Sequence, residues 1–349
     1  PAAYAGGSGK IRLALGGCGG RGTGAMSNAL MADPGTGLVA VAEVFADRAE
    51  SSVGKLRAKF GEQRVTVTPE TSFVGLGAFR EAIDLADVVI LTTPGGFKPE
   101  HFEYAISQNK HVFMEKPVAT DAPGIRRVLE AGRLADQRKL NVVVGLQRRY
   151  EPCYLETLQR YRDGAVGEIV SGQVFWNGGS HMNHRSFPRE PGQSELDYQL
   201  RNWYFFNWLS GDHILEQNLH NIDVANWFIG EYPVSAQGNG GRQVRTGKEF
   251  GQIFDHHFVE YVYPSGAVIH AQCRQMRGTP NRVEERFQTT GGHMVTRDFA
   301  MTKATMRKRD GGEVFEYGGL MDTSAYQLEH DSMFAAVRSG EHINNAEYA

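Results

Sequence analysis

The chain is short of cysteine, carries no surplus of one charge and contains no long apolar run, and each lack removes a class of function. Its three cysteines, Cys18, Cys153 and Cys273, lie far apart and form no CxxC pair. Neither a disulfide framework nor a zinc knuckle is indicated. Lysine and arginine number 37 against 40 acidic residues, a formal charge of −3, so no long-range attraction draws the chain to polyphosphate. Nucleic acid is therefore not an expected partner. No stretch approaches the ~20 consecutive apolar residues that cross a bilayer as a helix, and no membrane partner is expected. Internal repeats and low-complexity tracts are missing too. What is present is 349 residues, 41% of them hydrophobic, enough for about two domains of ~150 residues.

The ends carry their own expectations. Small residues fill Pro1 to Gly9 and no methionine starts the chain, a texture that follows export cleavage sites. Export is the expectation, with the cytoplasm as the alternative. The polar stop at Glu341 to Ala349 has no capping signal, and the natural chain is expected to continue.

Up to about Gly145 one theme repeats: a short β-branched run, a turn, then an amphipathic stretch of helical length. The strands read this way are Ile11–Leu15, Leu38–Ala42, Val65–Val67, Val88–Leu91, His111–Phe113 and Val142–Val144. Helices are expected over Thr23–Met31, Lys98–Asn109 and Asp121–Gln137. Such alternation implies an α/β fold whose parallel sheet is doubly wound, with helices on both faces. After Arg148 the runs lengthen, at Gly167–Trp176, Phe258–Tyr263 and Val268–Cys273, with hairpin signals at Tyr263-Pro264-Ser265-Gly266 and Gly291-Gly292. This predicts an α+β domain with an open, mainly antiparallel sheet and one strong helix over Asp212–Phe228. The division expected is 1–146 and 147–349. Between the two textures, Asn177–Asn207 reads as a long functional loop.

The first strand runs into Gly17-Cys18-Gly19-Gly20-Arg21-Gly22, a GxGxxG arrangement. One glycine makes the tight turn, the next lets backbone approach a pyrophosphate, and the third lets helix and strand pack. The phosphates then sit on the unpaired N–H groups of the helix. Glu43 ends the second strand 21 residues after Gly22, where a carboxylate accepts hydrogen bonds from the adenosine ribose and repels a 2′-phosphate. NAD is the cofactor expected, with NADP open because Arg48 offers a cation for that phosphate.

At the carboxyl edge of the same sheet stand Thr92-Thr93-Pro94 and Met114-Glu115-Lys116-Pro117, where ligands of such folds bind. The cofactor set thus comprises Gly17, Gly19, Gly20, Arg21, Gly22, Glu43, Arg48, Thr92, Thr93, Pro94, Glu115 and Lys116. His101 joins it, with helix capping or packing as its other reading. In the second half, Glu216, His220 and Asp223 are spaced by four and three and share one face of an α-helix. A histidine between carboxylates is held in one tautomer and serves as a base.

These residues resemble the Gfo/Idh/MocA oxidoreductases, the family of glucose–fructose oxidoreductase and inositol dehydrogenase, over essentially the whole chain. The resemblance is carried by the glycine motif, the Glu115-Lys116-Pro117 triplet, and Glu216-x-x-x-His220-x-x-Asp223 followed by Trp227 and Gly230. Glu216 stands where the family usually has aspartate. Arg201-Asn202-Trp203-Tyr204 and Ser210-Gly211-Asp212-His213 look like a bacterial subgroup whose members are often exported. The resemblance implies oxidation of a ring hydroxyl on a sugar or cyclic polyol, with hydride passing to nicotinamide. His220 would then be the base, Lys116 would stabilise the alkoxide, and Glu216 would orient His220 or bind a neighbouring hydroxyl. Arg148, Trp203, Tyr204, Asp212 and His213 are the substrate-binding candidates, and His181 to Arg185 a possible cleft segment. The family also implies a homodimer or homotetramer.

Three other functions compete. A cofactor that stays bound would couple oxidation of one sugar to reduction of another, or to glycoside cleavage through a keto intermediate. Asp212, His213, Glu216 and His220, within nine residues, suit a metal, although no metal is the expectation. A non-catalytic nucleotide-binding protein is the last, and Lys116 with His220 speaks against it.

Overall fold

Short valine, isoleucine and leucine runs build the first sheet from β1 (Ile11–Gly16), β2 (Thr36–Glu43), β3 (Ser72–Val74), β4 (Val88–Leu91), β5 (His111–Met114) and β6 (Val142–Val144). In a computed structural model describing residues 9–178, 186–297, 303–318 and 323–349, these strands lie in the order β3-β2-β1-β4-β5-β6. All are parallel. β4 is buried along its whole length, as a strand covered on both faces must be. The order reverses between β1 and β4, and ligands of open α/β sheets bind outside the strand ends at such a point.

The expected strand Val65–Val67 is corrected. Val65 makes only an isolated bridge to Leu38, and the edge strand is β3, which pairs with the end of β2. Pro69 is the physical reason: Thr68 caps a short turn over Pro69–Thr71, which stops the run and restarts it at Ser72. The expected helices form at Gly20–Ala32, Lys98–Ser107 and Ala122–Arg138. Asp121 caps the last of these, its Oδ1 accepting the Gly124 N–H at 2.7 Å.

The second sheet comprises β7 (Ile169–Gly178), β8 (Ser235–Gly241), β9 (His256–Val262), β10 (Val268–Gln275), β11 (Arg282–Thr289), β12 (Gly292–Arg297), β13 (Lys303–Lys308) and β14 (Glu313–Gly318). Their order is β14-β13-β12-β11-β7-β10-β9-β8. Neighbours are antiparallel except β7 and β10, which run parallel. Gly266, at a φ of +85°, turns the expected hairpin between β9 and β10. One face of the sheet, with Val174, Ile269, Ala271, Phe287 and Met294, forms a core with Leu158, Val224 and Phe228.

The chain divides into a unit up to Gln147 that also takes Thr323–Ala349, and a unit from Arg148 to Asp322. The crossing falls one residue from the expected boundary, but the assignment of all of 147–349 to one domain is corrected. Helix Ala325–Ser339 returns to the first unit, where Arg338 grips Asp33 with Nε at 2.6 Å and Nη2 at 2.9 Å. Nothing local marks that return, because an amphipathic helix does not state which core it covers. Within the expected loop Asn177–Asn207 stand a helix at Glu195–Arg201 and a turn at Trp203–Phe205, while His181 to Arg185 lie outside the described residues.

Candidate active site

In the first unit the glycine motif forms a cradle at the end of β1. Gly17 has a φ of +90°, and a Cβ there would press on the Thr92–Thr93 backbone. A Cβ on Gly22 would collide with the Gly17 carbonyl, whereas at Gly19 and Gly20 it would meet nothing within 4 Å. Two glycines are thus required by packing and two leave space. Gly19 is the N-cap of helix Gly20–Ala32 and makes no side-chain cap bond, so the first amides of the helix are offered to an anion. The dinucleotide pyrophosphate fits this donor set and this space. Thr92 Oγ1 donates to the Gly17 carbonyl at 2.6 Å and holds the loop from beneath.

Glu43 serves the same loop. Its Oε2 accepts the Cys18 N–H and its Oε1 the Val44 N–H, both at 2.7 Å. The carboxylate is fixed at the strand end, where its charge opposes a 2′-phosphate. Arg48 stacks its guanidinium over Phe45, 5.0 Å from the ring centroid. At the end of β5, buried Glu115 meets Arg21 Nε at 3.0 Å, which ties the start of the glycine helix to the strand carrying half-buried Lys116. Thr93 Oγ1 lies 3.2 Å from His101 Nδ1. Burial, helped by Lys98 and Arg80, lowers the His101 pKa to about 3, so this ring is neutral and stacks on Phe79 at 4.1 Å.

In the second unit the expected helix over Asp212–Phe228 forms as one unbroken helical run to Ile229, but it is not a regular α-helix throughout. A π-turn occupies Ile214–Asn218, and a regular α-helix follows at Leu219–Ile229. Glu216 lies inside this turn and His220 in the first turn of the α-helix beyond it. Such insertions are frequent at functional sites. His220 is buried and stacks on Trp176 with ring centroids 5.6 Å apart. Asp223 does not brace it: both its oxygens take the Arg149 guanidinium, at 2.7 to 3.1 Å.

Arg148 is nearly inaccessible, at 1% side-chain exposure, and its Nη1 lies 2.6 Å from Glu285 Oε1. Asn221, beside His220 in sequence, donates to the same oxygen at 2.6 Å. Tyr154 and Thr296 supply hydroxyl donors to Oε2, at 3.1 and 2.5 Å. A buried carboxylate with four donors is fully paired, and breaking such a pair typically costs ~3–5 kcal/mol. The network pins the helix of His220 to the sheet. No pattern in the sequence marks Glu285, because its partners are scattered over more than a hundred residues.

Trp203 is half-buried and Tyr204 buried; Gln275 Nε2 donates to the Tyr204 hydroxyl at 2.9 Å. Asp212 and His213 are buried, and Asp212 adopts a φ of +72°. Asp212 Oδ1 lies 2.8 Å from His213 Nδ1, and Oδ2 accepts the Phe254 N–H at 2.7 Å. Despite burial, these hydrogen bonds hold the carboxyl well below its usual range. Burial pushes His213 the other way, toward the neutral ring. The third member of this group is His257, which sequence reading missed; Glu216 and His220, which the competing metal reading grouped with Asp212 and His213, are not part of it.

Comparison with known proteins gives a consistent picture. Residues 11–146 match the model of an oxidoreductase family with an NAD-binding Rossmann fold, and residues 154–295 match the GFO/IDH/MocA C-terminal domain. An inositol 2-dehydrogenase of Rhizobium meliloti is 24% identical over 311 residues, 88% of this chain and 82% of that protein. Inositol 2-dehydrogenase 3 of Saccharopolyspora erythraea is 29% identical over 67% of this chain, which spans 58% of that relative. Among solved structures, an aldose-aldose oxidoreductase from Caulobacter crescentus aligns with a TM-score of 0.71 at 17% identity, covering 97% of this chain and 93% of that one. A 3-ketoreductase from Actinomadura kijaniata, in complex with NADP, aligns at 0.70 and 17% over the same shares.

Proposed function

Since the chain belongs to the Gfo/Idh/MocA family of NAD(P)-binding oxidoreductases, we propose that it interconverts a ring hydroxyl and a ketone on a cyclic polyol or sugar. The observation that carries this reading is the cradle itself: open at Gly19 and Gly20, donor-lined, and bordered by the fixed carboxylate of Glu43. Inositol dehydrogenation by relatives supports the substrate class. When bound, the nicotinamide supplies the hydride acceptor. The glycine loop and the first amides of its helix hold the pyrophosphate, and Glu43 favours NAD by charge, while NADP also fits the fold.

The remaining work falls to side chains. A secondary alcohol is a very weak acid, so its proton must be taken as its hydride leaves; placed acid–base groups contribute ~10²–10⁴-fold. By the roles that the family likeness implies, His220 takes that proton, and Lys116 stabilises developing negative charge by donating a hydrogen bond. Glu216, held in the π-turn, accepts from a neighbouring hydroxyl, and Trp203 offers a face to sugar C–H groups. Arg148, committed to Glu285, serves the scaffold.

The test is turnover on inositols and aldoses followed at the reduced nicotinamide band. Lys116→Ala and His220→Ala are each expected to lose ~10²-fold or more in turnover, with His220→Ala still binding NAD as wild type. Full turnover in both on every accepted substrate would overturn the assignment. We further place the chain in the exported bacterial subgroup, on the runs Arg201 to Tyr204 and Ser210 to His213; recovery in the cytoplasmic fraction of its native host contradicts that. A homo-oligomer is proposed from the sheet face opposite the core, which carries Phe258 at 40% exposure. Light scattering that gives a monomer at micromolar concentration rejects it.

A further inference from the structure

We propose that Asp212, His213 and His257 form a binding site for a divalent transition-metal ion such as Zn²⁺. One carboxylate oxygen and one ring nitrogen from each histidine lie within 4.8 Å of one another. His257 Nε2 stands 3.4 Å from Asp212 Oδ2. Tetrahedral zinc, with bonds of ~2.0–2.1 Å to nitrogen and oxygen, separates its ligands by roughly 3.3–3.4 Å. That spacing is what two ligands of one ion show.

A second observation points to the same occupant. His213 is wholly buried, and its Nε2 has no hydrogen-bond partner among the described residues. Buried polar atoms of a native protein are nearly always paired, so an orphaned imidazole nitrogen beside a carboxylate calls for a cation. Zinc accepts this mixture of nitrogen and oxygen donors, whereas calcium and magnesium prefer oxygen alone. The placement is also specific. Asp212 holds its strained backbone just before the π-turn, and His257 lies on β9, so an ion here clamps the turn carrying Glu216 to the sheet.

Buried Arg245 acts on His213 and Asp212 electrostatically, and its charge opposes the ion. Asp212 offsets one unit of that charge, so the expected affinity is that of an exchangeable site.

The test uses the full chain stripped with a chelator and titrated with Co²⁺, read by its visible d–d absorption and by metal analysis, with Zn²⁺ as competitor. One ion per chain is expected, with the absorption intensity of four-coordinate cobalt. Asp212→Asn and His257→Gln are each expected to weaken binding by at least the ~10–100-fold that loss of supporting groups brings. His257 is partly exposed, so its variant folds where the aspartate variant does not. Failure of the wild type to bind Co²⁺ or Zn²⁺, or binding of equal strength in His257→Gln, overturns the proposal. The readout needs no nicotinamide turnover, so it stands or falls apart from the dehydrogenase reading.

Discussion

A single methyl group separates the two kinds of glycine in the dinucleotide loop. Gly22→Ala drives a Cβ into the Gly17 carbonyl and is expected to distort the loop, lowering the melting temperature and abolishing NAD binding. Gly19→Ala places its Cβ in open space; it is expected to keep the melting temperature and yet weaken NAD, because the methyl occupies the pyrophosphate position. Calorimetry of both variants with and without NAD checks the pair, and equal stability losses would contradict it. Histidine burial sets a pH dependence at the same scale. His101 and His330 have pKa values lowered to about 3 by burial, against ~6.5 in an unfolded chain. The unfolded state therefore binds more protons between these values. Stability is intact above pH ~6.5 and falls as pH drops toward 3, by up to ~1.4 kcal/mol per pH unit for each histidine. Denaturant midpoints at pH 7.5 and 5 are expected to show the loss, and His101→Asn to reduce it; an unchanged midpoint sinks the argument.

At the scale of elements, the π-turn decides how the second unit presents its chemistry. Deleting Gln217 removes the extra residue and lets α geometry run through, which turns Asp212 and His213 by ~100° relative to His220. Turnover is expected to collapse while NAD binding survives, because the glycine loop belongs to the other unit. Circular dichroism that keeps its helical signal, together with assays of both properties, checks this. The glycine spacing, strand alternation and caps such as Asp121 were legible because each is local: a turn, a period or an N–H within three residues. The π-turn was not legible, since Ile214 to Asn218 carries the same apolar spacing as an ordinary helix. Val65–Val67 was misread for a related reason, strand propensity without the pairing that tertiary position grants.

The whole molecule adds the return of the C-terminus. Helix Ala325–Ser339 packs into the first unit through Phe334 and Met333, His330 stacking on Phe113 at 4.0 Å, and the Arg338–Asp33 pair. Truncation after Asp322 is expected to lower the stability of the dinucleotide unit and its affinity for NAD, while the second sheet keeps its cooperativity. Two separated unfolding transitions, with only the NAD-responsive one shifted, are the signature; unchanged NAD binding would contradict it.

By itself the sequence determined the α/β architecture, the glycine cradle with its acidic neighbour, and the family chemistry, since these rest on periodicity and on motifs that lie close in the chain. Tertiary structure alone decided that Arg148 answers to Glu285, Asp223 to Arg149, and Asp212 and His213 to His257. Pairing of buried charge depends on which distant segments share a low-dielectric interior, and separation along the chain carries no record of that.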